Sequence, residues 1–351
     1  MRYIIFLFLI HSIHGQSLDN HLYTDHLKKT VIASHVDSYQ RVNDYIFYRK
    51  GNKLYSYSSY TGTSYFIDWN VSKFTFGPDG TMAYRKGNSF YIKAAPYSEK
   101  SRHITWNVNS YFWTVDGSLV YKKLNSYFIL HNKFTDKPRI ISTNIERWIK
   151  GCGGELAYIK MGNLYYVNDK ALGKTSNVQP NVQKAFFVNG TLYFIKTGDL
   201  WYYSPENNLK GKLIYRVGNY YICGGSLYVN SQRGLYAVNG NNVLFTGHSR
   251  ISGIRTSFRG ISYLYKGRLY FIHGKNVVEL CQSPSWYSFS DNGCLYIHRN
   301  NNLCFIDNDY KVNIILENVY SSSYSNRRIY YKQKSRRYYL EPALGKIVLC
   351  K

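Results

Sequence analysis

Residues 74–93 read Phe-Thr-Phe-Gly-Pro-Asp-Gly-Thr-Met-Ala-Tyr-Arg-Lys-Gly-Asn-Ser-Phe-Tyr-Ile-Lys. Apolar and polar residues alternate on either side of two interruptions, Pro78-Asp79-Gly80 and Lys86-Gly87-Asn88, which is the period-two signature of strands joined by tight turns. Each interruption sets Gly beside Asp or Asn, the residues that accept positive φ at least cost. The stretch therefore predicts strand, turn, strand, turn, strand.

The same phrase returns along the chain. Aligned on the second turn, nine hairpins follow one another: Tyr45–Tyr57, Met82–Ala94, Leu119–His131, Leu156–Asn168, Leu192–Ser204, Leu227–Val238, Ile261–His273, Leu295–Asp307 and Ile329–Glu341, with starts 34 to 37 residues apart. A short strand ending in a turn precedes the hairpin, as at Tyr111–Gly117, Ala185–Gly190, Tyr220–Gly225 and Trp286–Gly293. Another follows it, at His103–Trp106, Arg139–Ser142, Lys212–Tyr215, Val243–Phe245, Val277–Leu280, Val312–Leu316 and Lys346–Leu349. The unit is four antiparallel strands in roughly 36 residues, the size and strand count of a β-propeller blade. A four-stranded sheet with two apolar faces covers neither alone, and stacking successive sheets covers both. The expected fold is an all-β propeller of eight or nine blades over residues 16–351, with Leu27–Ser34 as a further strand that helps close the array.

Composition agrees with such a core. Of 351 residues, 38 are Tyr and 18 Phe, and only 7 are Pro. Residues 1–15 read as a secretory signal, with Arg2, the apolar run Ile4–Ile10, and Gly15 ahead of a cut at Gln16. The run is too short to span a membrane, and no later run is longer. The mature chain is expected to be soluble and exported, its formal charge falling from +25 to +24 with the loss of Arg2. Cys152, Cys223, Cys281, Cys294, Cys304 and Cys350 are then candidates for structural disulfides or buried thiols, with no Cys-x-x-Cys to indicate zinc. Asn70-Val71-Ser72 and Asn189-Gly190-Thr191 are glycosylation sequons placed in loops.

A further set of residues matches a known family in order and spacing over roughly residues 20–106. They are Tyr23-Thr24-Asp25-His26-Leu27-Lys28, Tyr45-Ile46-Phe47-Tyr48-Arg49, Gly77-Pro78-Asp79-Gly80, Met82-Ala83-Tyr84, Ser89-Phe90-Tyr91-Ile92-Lys93 and Arg102-His103-Ile104-Thr105-Trp106. This segment resembles the propeller domain of the dipeptidyl peptidase IV family, in the prolyl oligopeptidase clan. The Pro-Asp-Gly phrase is also similar to TolB-type propellers. The resemblance implies a paired glutamate after the Arg-x-x-Thr-Trp strand to hold a substrate amine. Residues 107–117 contain no glutamate, only Asp116. The family's hydrolase domain with its Gly-x-Ser-x-Gly turn does not occur in these residues, so peptidase activity is not carried over.

No His-Glu-x-x-His or phosphate-cradling glycine loop is present, and no cofactor or metal is expected. His103, His131, His248, His273 and His298 fall at different blade positions and read as structural. Charge placement is more informative. In a four-stranded meander all second turns open at one end and all first turns at the other. Second turns and their flanks carry Arg49, Lys50, Lys53, Arg85, Lys86, Lys122, Lys123, Lys160, Lys196, Arg233, Lys266, Arg268, Arg299, Lys332, Lys334, Arg336 and Arg337, against one carboxylate, Asp199. First turns carry Asp79, Asp116 and Asp291.

A basic face of this kind concentrates anions. The leading expectation is a secreted, non-catalytic propeller binding a protein or anionic glycan through that face, with nucleic acid not expected because of export. Alternatives are a peptidase-like protein or accessory subunit of a dipeptidyl peptidase-type hydrolase, or a structural glycoprotein whose lysines merely solvate its surface.

Overall fold

The computed structural model describes residues 21–23, 31–94, 101–274, 276–291, 293–307, 309–341 and 346–349. The signal segment 1–15, the cut at Gln16, residues 24–28 of the family resemblance, and Cys350 lie outside the described residues.

Among the described residues the fold is all-β, with the thirty-six strands of nine four-stranded antiparallel sheets following one another in chain order as propeller blades. Sheet 1 comprises Ser38–Val42, Tyr45–Lys50, Lys53–Ser58 and Thr63–Asp68; sheet 2, Val71–Phe76, Met82–Lys86, Ser89–Lys93 and Ser101–Trp106. Sheet 3 comprises Val108–Trp113, Leu119–Lys123, Ser126–Leu130 and Arg139–Thr143; sheet 4, Arg147–Lys150, Leu156–Lys160, Asn163–Asp169 and Lys174–Gln179. Sheets 5 to 9 begin at Lys184, Val217, Ser252, Trp286 and Val319, and the last ends at Leu349. All nine hairpins anticipated from the repeat are present. The chain divides into two compact units, one running to Met161 and including Tyr165–Asn177, the other holding Gly162–Leu164 and everything from Val178.

Turn chemistry explains the repeats locally. At Pro78-Asp79-Gly80 the Gly77 amide donates to Thr81 O (2.8 Å) and the Gly80 amide, at φ 79°, donates to Gly77 O (3.0 Å). Asp79 Oδ1 accepts from the Thr81 amide at 3.1 Å, closing the loop with a side chain. The same five-residue loop recurs at Thr114–Ser118, Gly151–Glu155 and Ser290–Cys294.

Within each unit, neighbouring sheets share one apolar core. Phe90 and Ile92 of sheet 2 pack with Val108, Tyr111, Leu119 and Tyr121 of sheet 3. Val120 and Ile129 of sheet 3 pack with Leu156 and Tyr158 of sheet 4. In the second unit the sharing runs from sheets 5 and 6 through to 8 and 9. The tyrosines have a fixed job here. Tyr48, Tyr84, Tyr121, Tyr158, Tyr263 and Tyr331 are buried on second strands and stack on the directly opposed aromatic of the third strand, with centroids 5.1 to 5.6 Å apart. Several send the hydroxyl on to the fourth strand: Tyr48 to Ser64 Oγ (3.0 Å), Tyr84 to Ser101 Oγ (2.9 Å) and Tyr158 to Thr175 Oγ1 (3.3 Å). Each such ring removes about 1.5–3 kcal/mol worth of apolar surface from water while its polar end stays bonded.

The N-terminal strand differs from expectation. Val31–Ser34 pairs antiparallel with His21–Tyr23 in a two-stranded sheet of its own, while sheet 9 completes its four strands with Lys346–Leu349. Ile32, Ala33 and Val36 pack on Tyr48 and Tyr57, so this segment adds to the apolar packing of sheet 1.

Candidate anion-binding face

The second turn of each sheet and the connector to the next sheet lie at the same end, and main-chain bonds tie them. In the first unit Val71 N donates to Asn52 O (2.8 Å), Asn107 N to Asn88 O (2.8 Å) and Asn144 N to Asn125 O (2.9 Å). In the second, Val217 N donates to Gly198 O (2.7 Å) and Val319 N to Asn301 O (2.7 Å). The connector residue is left-handed each time: Asn70 (φ 57°), Asn107 (58°), Asn144 (52°), Asn181 (56°), Arg216 (50°), Ser283 (45°) and Asn318 (58°). Asparagine is the non-glycine residue that tolerates this conformation best.

Many of the basic residues at this end have local partners. Lys86 Nζ bonds Asp68 Oδ1 at 2.8 Å, Lys123 Nζ bonds Thr105 Oγ1 at 3.0 Å, and Lys160 Nζ bonds Ser142 Oγ at 3.3 Å. Each lysine ends a second strand and reaches the fourth strand of the preceding sheet, eighteen residues back. Arg49 bonds Ser72 O (2.5 Å) and pairs with Asp37 (3.5 Å), and Lys122 lies over the Tyr127 ring. In the second unit Arg268 Nη1 donates to both carboxylate oxygens of Glu279 (2.9 and 3.1 Å), Lys266 covers Tyr265, and Arg299 adjoins Cys281. Lys196 lies opposite Asp199 across its turn. Lys50, Lys53, Arg233, Lys332, Lys334, Arg336 and Arg337 are exposed.

Counting from second turns alone underestimates the carboxylates. Connectors and fourth strands bring Asp37, Asp68 and Glu146 to this end in the first unit. The second turns of sheets 1–4 and their flanks alone therefore carry eight cations (Arg49, Lys50, Lys53, Arg85, Lys86, Lys122, Lys123, Lys160) against three carboxylates at this end. Lys50 and Lys53 face each other directly, as do Lys332 and Arg337 in sheet 9, a like-charge arrangement that costs stability.

Apolar groups join the cations, and the repeat reading missed them. Trp69 and Trp106 are 59% and 58% exposed at successive connectors, and Leu124 and Met161, at the tips of the second turns of sheets 3 and 4, are 73% and 77% exposed. Both tips are left-handed (φ 54° and 51°) at a position held by Gly51 and Gly87 in sheets 1 and 2. Lys86 Nζ sits 5.1 Å from the Trp69 ring centroid.

The opposite end is not a free acidic surface. Asp79 bonds Lys133, Asp116 bonds Lys170 at 2.5 Å, and Asp291 pairs with Arg327 at 2.8 Å. Burial works to raise the Asp116 carboxyl, but hydrogen bonds from Lys170 and Thr114 outweigh it and hold the group below its ordinary range. A depression of about 450 Å³ at this end is lined by His131, Glu155, Tyr166, Asp169 and Lys170. Lys170 is engaged by Asp116 and Gly154 O, Glu155 by the Gly153 amide, and His131 by Ser118 Oγ (2.9 Å), so no acid–base pair converges there.

The other histidines are held structurally. His248 Nδ1 meets Tyr263 Oη (2.7 Å), His273 Nδ1 meets Arg259 O (2.5 Å), and His103 packs on Tyr91 and Trp106. His298 Nε2 donates to Val319 O (2.7 Å), leaving Nδ1 to accept from Ser285 Oγ (3.0 Å). No three His, Cys, Asp or Glu side chains are grouped to hold a metal among the described residues. Among the described residues Cys152, Cys223, Cys281 and Cys304 are free thiols, and burial pushes those of Cys223, Cys281 and Cys304 up. Asn70 and Asn189 are exposed in a connector and a first turn, and Asn189 Nδ2 donates to Gly225 O at 2.7 Å.

No family model matches the chain, and no curated protein matches it. Solved structures similar to it include PorZ, a surface component of the type-IX secretion system of Porphyromonas gingivalis, at 10% identity and TM-score 0.32, covering 90% of this chain and 59% of that one. The extracellular domain of BT4673 from B. thetaiotaomicron aligns at 11% identity and TM-score 0.31, covering 95% and 68%. A eukaryotic initiation factor aligns at 13% identity and TM-score 0.42, covering 84% and 92%. The chain spans 39% of the tricorn protease that it also matches. The class is thus defined by the nine four-stranded sheets themselves, as a β-propeller.

Proposed function

We propose that this chain is an exported, non-catalytic binding propeller that holds an anionic partner, glycan or acidic protein, against the second-turn ends of sheets 1–4. The observation that carries the reading is the excess of eight cations over three carboxylates there, set among the exposed rings of Trp69 and Trp106. Cations bind sulfate or carboxylate groups, and the flat indole faces suit sugar rings, so a sulfated glycan fits best. Export rests on residues 1–15, and the likeness of residues 20–106 to the dipeptidyl peptidase IV propeller is consistent with a propeller used for recognition. No nucleophile turn occurs in the sequence, and no observation favours the hydrolase-subunit alternative.

The test is chromatography on a heparin-like polyanion across a salt series. Retention at low salt, lost on adding salt and weakened in a Lys50→Gln, Lys53→Gln, Lys122→Gln variant, is the expected result. Flow-through at low salt would overturn the reading.

A further inference from the structure

Sheet 2 differs from its neighbours at one position. Several first strands carry the same bulge near their start, and across it the residue after the bulge pairs with the second strand. The pairs are Ser110↔Lys122 in sheet 3, Asn219↔Asn230 in sheet 6 and Ser321↔Lys332 in sheet 9. In sheet 2 the pair is Lys73↔Arg85, two cations directly opposed. Such a pair is destabilising unless something negative lies between or above it. Neither residue has a carboxylate partner among the described residues.

What they share is Tyr111, on the facing first strand of sheet 3. Lys73 Nζ stands 5.5 Å from the centroid of its ring, and the Arg85 charge acts on its hydroxyl. Tyr111 is 8% exposed, its ring packed on Phe90 at 4.7 Å, and its hydroxyl is buried without any hydrogen-bond partner. A buried phenol lacking an acceptor is costly, and so is an opposed cation pair; here the two occur together.

We infer that Lys73, Arg85 and Tyr111 form a seat for a tetrahedral oxyanion, a sulfate or phosphate group, where sheets 2 and 3 meet. Its oxygens accept from the phenol, the ammonium and the planar guanidinium fork, so one ligand satisfies all three. This deepens the reading above and rests on it only for the source of the anion, which would be a sulfate ester of the bound glycan.

The experiment titrates inorganic sulfate, and separately inorganic phosphate, into the purified protein and follows thermal unfolding against sodium chloride of matched ionic strength. A saturable rise in melting temperature beyond the chloride control is expected, absent in Arg85→Gln. Tyr111→Phe supplies a readout that a merely structural tyrosine would not give. Without anion it is at least as stable as the wild type, because an unpartnered hydroxyl is gone, yet it binds the anion at least ten-fold more weakly. Wild-type protein responding no more than to chloride, or Tyr111→Phe binding sulfate as the wild type does, overturns the seat. A stronger phosphate than sulfate response assigns the anion to a phosphorylated source. Heparin retention is read independently: if it fails while sulfate binds, the seat stands and the polyanion face falls.

Discussion

Lys170, in the third turn of sheet 4, reaches the first turn of sheet 3 and closes on Asp116 at 2.5 Å, with both side chains largely shielded. Lys133 and Asp79 make the same bond one sheet earlier, again fifty-four residues apart. Removing one partner leaves a shielded charge behind, so Asp116→Ala is expected to cost about 1–3 kcal/mol, and a double-mutant cycle with Lys170→Met to show coupling by urea unfolding.

The same carboxylates set the acid limit. Asp79 and Asp116 are held below the ordinary range, with hydrogen bonds from their lysines outweighing burial. A depressed carboxyl contributes stability that is complete above its unfolded value, about 3.9, and lost as pH falls through the folded value. Stability should therefore decline below about pH 4, and an Asp79→Asn, Asp116→Asn variant should show a flatter acid limb in denaturant midpoints.

The tyrosines set the alkaline limit. Burial pushes the Tyr121 and Tyr263 hydroxyls up to about 12. A raised acid contributes stability that is complete below its unfolded value near 10 and is lost as pH rises toward the folded one. Unfolding should coincide with the rise of tyrosinate absorbance. Tyr121→Phe keeps the ring stacked on Phe128 and should unfold at a higher pH.

At the connectors, backbone conformation rather than contact is at stake. Asn107→Val places a β-branched residue at φ 58° and should destabilise by about 1–2 kcal/mol, whereas Asn107→Gly should be neutral or stabilising. Equal effects of the two changes would show that the side chain matters instead.

Leu124 and Met161 are left-handed and exposed, so neither strain nor burial gives them a folding role. Leu124→Gly and Met161→Gly should each raise stability by up to about 1 kcal/mol. If these tips touch the partner, the double variant should also elute earlier from the polyanion column.

Much of the architecture was legible because the turns repeat in register: Gly87-Asn88 and Lys266-Gly267 mark the same position in different sheets. Lys174–Gln179, the polar fourth strand of sheet 4, lacks the alternation that exposes a strand and is recognised only by its place after a third strand. The bonds from Lys86, Lys123 and Lys160 were invisible, since they depend on how one sheet staggers against the next. So was the Lys73↔Arg85 opposition, which a one-residue bulge produces. Asn70, Asn107, Asn144 and Asn181, thirty-seven residues apart, were a signal in plain view, because so regular an asparagine implies a required left-handed residue.

The eighteen-residue straps have an evolutionary corollary. Lys86, Lys123 and Lys160 recur every thirty-seven residues, and each grips only the sheet before it. Excising or duplicating a whole copy at a connector asparagine presents each remaining lysine with an equivalent acceptor. Copy number is therefore a variable that these straps leave unconstrained at the junction.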